Sequence, residues 1–107
     1  MIPMTAVTRD SLAAFMVEAF TRLGLPPDDA RIFAEALIFS ELRFHPGHGQ
    51  GVKRLRRYHE RITQGLVDPQ TRLTVVKESP ALALVDAANG IGTVAAARAM
   101  TMAMAKA

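Results

Sequence analysis

The stretch that decides the fold is SELRFHPGHGQGVKRLRRY, residues 40–58. A helix has to end inside it, because Pro46 lacks a backbone N–H donor and disfavours helical geometry in the residue before it. A new helix follows three closely spaced glycines, namely Gly47, Gly49 and Gly51. His45, His48 and Gln50 are interleaved with these glycines, at a helix N-terminus whose dipole favours anions. This turn and the basic helix after it are the most site-like part of the chain.

Two helices are expected ahead of this stretch. The first runs from a cap at Thr8 or Asp10 to about Leu23, and Gly24 ends it. The second runs over about 27–43, with proline and acidic residues in its first turn. Its apolar residues point almost all round the helix: Ile32, Phe33, Ala36, Leu37, Ile38 and Phe39. Because such a helix is usually buried, we expect it to be central, packed against the first helix and against a partner.

Two short strands and a final helix are expected after the site. The third helix, over about 51–63, ends at Gly65. Residues 73–77 and 81–85 are rich in leucine and β-branched residues and are predicted to be strands. The second of them, ALALV, is apolar on both faces, which is typical of a strand inside a sheet. From Thr93 the Ala-rich chain is predicted to be helical, with its methionines in a core or an interface.

This order of elements predicts an α/β (α+β) fold. The 107 residues are expected to form a single domain, with a flexible arm (1–7), a helical segment that carries the candidate site (8–65) and a strand–strand–helix segment (71–107). An isolated two-stranded sheet is barely stable. We therefore expect the strand pair to be the edge of a larger sheet, and the chain to be one piece of a larger architecture.

The composition narrows the function classes only mildly. The net charge is +3, and ten of the thirteen basic residues are Arg, which suits carboxylate or phosphate binding. Hydrophobic residues make up 50% of the chain, which suggests a surface covered by a partner. There is no cysteine, no signal-peptide pattern and no apolar run of membrane-spanning length. A cytoplasmic protein without disulfides is therefore expected.

Two alternative small-molecule sites are disfavoured. His45, His48 and His59 have no acid or cysteine placed to complete a metal shell, so no metal site is predicted. The Gly90-Ile91-Gly92 sequence before the last helix has some features of a nucleotide loop. It lacks the full glycine spacing and the downstream acid, and a tight strand-to-helix turn explains it as well.

A nucleic-acid interface is also considered for the third helix. Arg54, Arg57 and Arg61 can share one face of it, whereas Arg56 can pair with Glu60. However, only 6% of the residues are aromatic and no nucleic-acid reader motif is present. Nucleic acid is therefore an unlikely partner on sequence grounds.

Three longer blocks of the sequence match a known family in order and spacing. They are LGLPPDDARIFAEALIFSELR, GHGQGVKRLRRYHERITQGLVDP and ALALVDAANGIGTVAAARAMTMAMAKA. From about Val7 onward the chain resembles the malate/L-lactate dehydrogenase family with a non-Rossmann cofactor fold. That group includes ureidoglycolate, sulfolactate and 2,3-diketogulonate enzymes and the piperideine/pyrroline-2-carboxylate reductases. Its members show an "S-H-G-V-x-R-L-x-x-Y" turn-helix motif and a "V-D-G-x-x-G-x-G" turn before an Ala-rich helix.

The resemblance implies an NAD(P)H-dependent reduction of a 2-oxo acid or a cyclic imino acid, or the reverse oxidation. The cofactor would be NAD or NADP, and the protein a homodimer or higher oligomer. In the turn-helix motif, Arg54 matches the arginine and Tyr58 the tyrosine, and both would contact the substrate carboxylate. The two residues are one helical turn apart, so they can hold one carboxylate together.

The chain departs from the family pattern in the turn, which is two residues longer. Counting back from Arg54 places Gln50 at the motif histidine, whereas counting forward from Arg43 places His48 there. The helix register is the stiffer guide and favours Gln50. A carboxamide cannot transfer protons as an imidazole can, so this turn is expected to bind substrate, with His48 as the possible catalytic residue.

The second departure concerns length. The family's main acid/base histidine and its cofactor-holding strands lie beyond the Ala-rich helix, whereas this sequence ends at Ala107. We therefore expect the chain alone to be inactive, as a fragment of a longer enzyme, a truncated gene product or one subunit completed by another chain. The alternative function is a non-catalytic helical module that self-associates through the second and last helices.

Overall fold

The computed structural model describes residues 5–43 and 51–107. In these ranges the chain forms four helices and one two-stranded sheet, in the order α1 (Arg9–Arg22), α2 (Pro27–Leu42), α3 (Arg54–Thr63), β1 (Thr74–Glu78), β2 (Ala83–Asp86) and α4 (Gly92–Lys106). This confirms the predicted fold class and the predicted order of elements. None of the described helices is both long enough and apolar enough to cross a membrane.

The first two helices begin and end where their capping residues predict. Thr8 caps α1, because its hydroxyl accepts a hydrogen bond from the Ser11 backbone N–H at 3.1 Å. Gly24 follows α1 with a φ of +108°, a conformation that other residues rarely adopt. Pro27 opens α2 in the first helical turn, where a missing N–H donor costs nothing.

The core is built on α2, which packs against both α1 and α4. The rings of Phe20 from α1 and Phe33 from α2 stack with centroids 4.6 Å apart. The fully buried residues are Met16, Phe20, Leu25, Ala30, Phe33, Ala34, Ile38, Ile91 and Val94. The central position of α2 agrees with the prediction from its apolar residues.

Within the described residues, α2 is not buried all round. The Phe39 side chain is exposed, and so is that of Leu42 at the end of the helix. The Arg43 guanidinium lies 3.4 Å from the centroid of the Phe39 ring and covers part of it. Only the α2 face toward α1 and α4 therefore belongs to the core of the described residues.

The third helix begins at Arg54, later than the predicted start near Gly51. The Val52 N–H donates a hydrogen bond to the Glu41 carboxylate at 3.2 Å. A Cβ atom on Gly51 would lie 1.5 Å from that carboxylate, so only glycine allows this approach. The end of α2 is thus joined to the start of α3, and the Val52 N–H is already bonded.

The two strands pair antiparallel, with Thr74 opposite Asp86 and Glu78 opposite Ala83, and an irregularity between Val75 and Lys77. The prediction that the second strand lies inside a sheet does not hold among the described residues. There the sheet has two strands, and Leu84 on β2 is 61% exposed. A strand that is apolar on both faces is usually covered on both faces, and the described residues do not cover this one.

A nearly buried ion pair holds α4 against α2. Both carboxylate oxygens of Asp29 accept hydrogen bonds from Arg98, at 2.6 and 2.7 Å, and the Asp29 side chain is only 5% exposed. The Arg98 guanidinium also donates to the Thr71 carbonyl. The Thr71 hydroxyl in turn accepts from the Ile91 backbone N–H at 2.9 Å. These contacts fix the position of the first turn of α4, which carries Thr93.

Candidate functional site

Arg54 and Tyr58 lie one turn apart on α3, and both are half-buried. Both line a cavity of about 260 Å³, which α2, α3 and α4 enclose together. The described residues that line it are Phe33, Ala36, Leu37, Ser40, Arg54, Tyr58 and Thr93. His48 and Gln50, the other two predicted site residues, lie outside the described residues. The structure therefore places two of the four predicted residues beside one hollow.

The Tyr58 ring is held on two sides. Its edge meets the Phe33 ring with centroids 4.7 Å apart and an interplanar angle of 80°. The Arg61 guanidinium lies 5.8 Å from the Tyr58 centroid, within the range of a cation–π contact. Because the ring is packed in this way, the position of Tyr58 at the cavity wall is set by the core.

The cavity combines an apolar wall with four polar side chains. Among the described residues, none of Ser40, Arg54, Tyr58 and Thr93 makes a side-chain hydrogen bond or an ion pair. The other Ser and Thr hydroxyls on the described helices are all bonded, namely those of Ser11, Thr21, Thr63 and Thr101. The two Ser and Thr hydroxyls on the described helices that lack such a partner, those of Ser40 and Thr93, therefore both line this cavity.

The charge of the cavity lining favours an anion. Among the described lining residues, Arg54 is the only charged one, and none of them carries a carboxylate that could neutralise it. The stretches outside the described residues, 1–4 and 44–50, contain no Asp or Glu either. A guanidinium with neutral hydroxyl groups around it is suited to bind a carboxylate through two parallel hydrogen bonds.

The glycine turn before α4 does not fit the phosphates of a nicotinamide cofactor. A Cβ atom on Gly90 would lie 2.8 Å from the Thr71 side chain, so this glycine is required for close packing. The N–H of Ile91 is already bonded to Thr71. Among the described residues this turn is a packed strand-to-helix connection, and it offers no cradle for a dinucleotide.

The metal and nucleic-acid alternatives are tested only in part, because His45 and His48 lie outside the described residues. In residues 5–43 and 51–107, no three His, Cys, Asp or Glu side chains are grouped closely enough to hold a metal ion. On α3, Arg56 pairs with Glu60 at 3.5 Å, as the sequence predicts, and Arg61 lies beside Tyr58. The arginines of this helix therefore do not all face solvent as one basic surface.

Sequence reasoning did not identify Ser40 or Thr93 as lining residues. A signal for Ser40 was present, because Phe33, Leu37 and Ser40 recur at helical spacing and share one face of α2. Thr93 had no such signal, since only the packing of α4 against α2 brings it to the cavity.

The family model of the malate/L-lactate dehydrogenases matches residues 7–107, which is nearly the whole chain. The chain belongs to the malate/L-lactate dehydrogenase family. The resemblance drawn from the three sequence blocks is thereby confirmed.

Known relatives of this family member are much longer proteins. Malate dehydrogenase from Pyrococcus horikoshii is 40% identical over 101 residues, which are 94% of this chain and 28% of the relative. Its solved structure matches with a TM-score of 0.83 and 34% identity, over 99% of this chain and 32% of that one. L-Sulfolactate dehydrogenase from Methanocaldococcus jannaschii is 33% identical over 92 residues, 86% of this chain and 26% of the relative.

A relative with a different named activity has a similar structure. The solved structure of delta1-piperideine-2-carboxylate reductase from Pseudomonas syringae matches with a TM-score of 0.82 and 26% identity, over 97% of this chain and 31% of that one. The chain thus spans about three-tenths of the length of the relatives it matches.

Proposed function

We propose that this chain forms the substrate-carboxylate side of the active site in an NAD(P)H-dependent oxidoreductase that acts on 2-oxo or 2-hydroxy acids, or on cyclic imino acids. Family membership supports the reaction class. The single observation that carries the site is the cavity in which Arg54 and Tyr58, both without a partner among the described residues, lie side by side. Every substrate candidate of this family carries a carboxylate next to the reacting carbon, which is the group an arginine binds best.

In this proposal Arg54 binds and orients the acid. Its guanidinium donates two N–H groups to the carboxylate, and the Tyr58 hydroxyl adds a third hydrogen bond. The carbon skeleton contacts the apolar wall at Phe33 and Leu37. A volume of about 260 Å³ lies at the small end of ligand pockets, so it suits a small acid better than a dinucleotide. NAD or NADP would supply the hydride chemistry, and the residues of this cavity are not proposed to hold that cofactor.

The turn before α3 is proposed to complete the substrate side. By helix register Gln50 takes the place of the motif histidine, and a carboxamide there would donate a hydrogen bond without transferring a proton. His48 is the alternative occupant of that place and the candidate for acid/base work. Substituting Gln50→Ala and His48→Ala separately distinguishes them, because the residue that faces substrate should weaken acid binding and the other should not.

Binding of pyruvate to the 107-residue chain, followed by NMR chemical-shift titration, tests the carboxylate site. We expect millimolar binding, and no binding of methyl pyruvate, which has the same carbon skeleton but no charge. Arg54→Gln should weaken pyruvate binding at least about 10-fold, because hydrogen bonds to charged groups contribute about 1.5–3 kcal/mol.

The matched control for this experiment is Arg57→Gln. Arg57 lies on the same helix but is exposed and does not line the cavity. Equal losses in the Arg54 and Arg57 variants would show a general charge effect and would contradict the proposal, as would equal binding of methyl pyruvate.

We also propose that the 107-residue chain alone does not turn over substrate, which its share of about three-tenths of its relatives' length supports. Mixing the chain with NADH or NADPH and a panel of 2-oxo acids and cyclic imines should show no oxidation of the cofactor at 340 nm, the wavelength at which reduced nicotinamides absorb. Measurable turnover by the pure chain would overthrow this part of the proposal.

A second candidate function, a self-associating helical module, is favoured by the exposed apolar side chains. Phe39 and Leu42 on α2 and Met100 and Met104 on α4 are all more than half exposed. Such faces are typical of surfaces that a partner covers. Light scattering tests this candidate, because a chain that stays monomeric at high concentration would exclude self-association while leaving the carboxylate site intact.

A further inference from the structure

We infer that Ser40 and Thr93 are specificity-determining residues, which favour acids that carry a hydroxyl group on C3 over acids with a plain hydrocarbon there. The inference rests on the proposed function, in which Arg54 fixes the carboxylate end of the substrate. The inference adds a statement of which acids the rest of the cavity favours. The chemical class is that of 3-hydroxy-2-oxo acids and their 2,3-dihydroxy counterparts.

The first argument is that the two hydroxyls reach one cavity from different helices. Ser40 comes from the last turn of α2 and Thr93 from the first turn of α4. On α4, the Thr101 hydroxyl donates to the carbonyl of Ala97, four residues back, at 3.2 Å. This is a common way for a helical hydroxyl to find a partner. Ser40 and Thr93 make no such bond to the described residues, so within that part of the chain no group competes with a ligand for the two hydroxyls.

The second argument concerns the cost of covering these groups. Ser40 and Thr93 are half-buried beside the apolar side chains of Phe33 and Leu37. A ligand with a methyl or methylene group here would displace water and leave the two hydroxyls without partners, which is costly. A ligand hydroxyl replaces the lost water contacts. A site of this kind discriminates against the analogue that lacks the hydroxyl.

The third argument is that the helix turns that carry both hydroxyls are held in place before a ligand binds. Ser40 follows the buried residues of α2 at helical spacing. The first turn of α4, with Thr93, is fixed by the Asp29–Arg98 ion pair and by the Thr71–Ile91 hydrogen bond. Because the backbone at both positions is already ordered, only the two side-chain rotamers have to be fixed on binding, which keeps the cost of these hydrogen bonds low.

Titration of the 107-residue chain with pyruvate and with hydroxypyruvate, its C3-hydroxylated analogue, tests the inference. We expect hydroxypyruvate to bind about 3- to 10-fold more tightly, the range of one or two net hydrogen bonds. Ser40→Ala and Thr93→Val should each reduce this preference, because the lost hydrogen bond weakens hydroxypyruvate binding whereas pyruvate made no such bond. Thr93→Ser retains the hydroxyl and should restore the preference.

Thr101→Val is the matched control, since it makes the same change on the same helix outside the cavity. Ser40→Ala is expected to fold, because alanine is the better helix former. Equal binding of the two acids by the unaltered chain, or parallel losses for both acids in the variants, would overturn the inference. If neither acid binds, or if binding does not depend on Arg54, it is the proposed function that fails.

Discussion

Two polar clusters lie along α2, and they differ in whether their groups are paired. The closed cluster, Asp29, Thr71 and Arg98, joins the start of α2 to α4, and its carboxylate, guanidinium and hydroxyl groups all bond within the protein. The open cluster, Ser40, Arg54, Tyr58 and Thr93, lies near the other end of α2, and its side chains form no hydrogen bond or ion pair with a described residue.

The difference separates a structural role from the binding role that is proposed for Arg54. Each cluster contains one partly buried arginine, so residue type and burial do not distinguish them. What differs is that Arg98 meets a carboxylate that is 5% exposed, whereas Arg54 faces a hollow lined by hydroxyl and apolar groups. A partly buried arginine without a carboxylate is suited to receive one from a ligand. Four predictions test the comparison.

Breaking the closed cluster should have the largest effect on stability. We expect Asp29→Ala to lower the free energy of unfolding by about 2 kcal/mol, because it leaves the Arg98 guanidinium without its carboxylate. This lies below the range for fully buried pairs, since the Arg98 side chain is 38% exposed and water offsets part of the loss. Urea denaturation followed by circular dichroism measures it.

Asp28→Ala is the control for that variant. Asp28 is the neighbouring acid in the first turn of α2, and its side chain is 85% exposed. Removing it should change the free energy of unfolding by less than about 1 kcal/mol. If the two aspartate variants were equally stable, the closed cluster would not be what holds α4 to α2.

Crowding the same cluster through Gly90 should have the next largest effect. A Cβ atom at this position would lie 2.8 and 2.9 Å from two atoms of the Thr71 side chain, so Gly90→Ala should destabilise the fold by about 1–2 kcal/mol. Gly92→Ala, two residues along, meets no atom within 4 Å and should be neutral or slightly stabilising. Thermal unfolding of both variants tests the pair, and equal melting temperatures would refute it.

Substituting the arginine of each cluster, one at a time, sharpens the comparison. Arg54→Gln should leave the free energy of unfolding within about 0.5 kcal/mol, because no ion pair with a described residue is lost, yet it should weaken pyruvate binding about 10-fold or more. Arg98→Gln, by contrast, should lower the free energy of unfolding. A large loss of stability in the Arg54 variant would mean that this arginine is structural after all.

The smallest effect is expected for an exposed ion pair of a third arginine, which belongs to neither cluster. Arg56 pairs with Glu60 on α3, and their side chains are 89% and 55% exposed. Glu60→Ala should change the free energy of unfolding by no more than about 0.5 kcal/mol and leave pyruvate binding unchanged. A larger change in binding would indicate that the general charge of α3, and not the geometry of the open cluster, attracts the acid.

Most of the fold was predictable because its signals are local. The caps at Thr8 and Gly24, the proline at the start of α2 and the apolar spacing along the helices each depend on residues a few positions apart. The errors concern contacts between distant parts of the chain. One of them is the start of α3, which lies at Arg54, just after the residues where the Glu41 side chain contacts Gly51 and Val52.

The sequence by itself determined the family, the order of the elements and the two α3 residues, Arg54 and Tyr58, that the proposed carboxylate site uses. These follow from motifs whose residues are close together, where helix geometry alone sets the spacing. Only the tertiary structure decided which arginine is paired and which is open, and it alone added Ser40 and Thr93 to the cavity. The reason is physical, since hydrogen-bond partners from separate helices are chosen by packing, which no local pattern encodes.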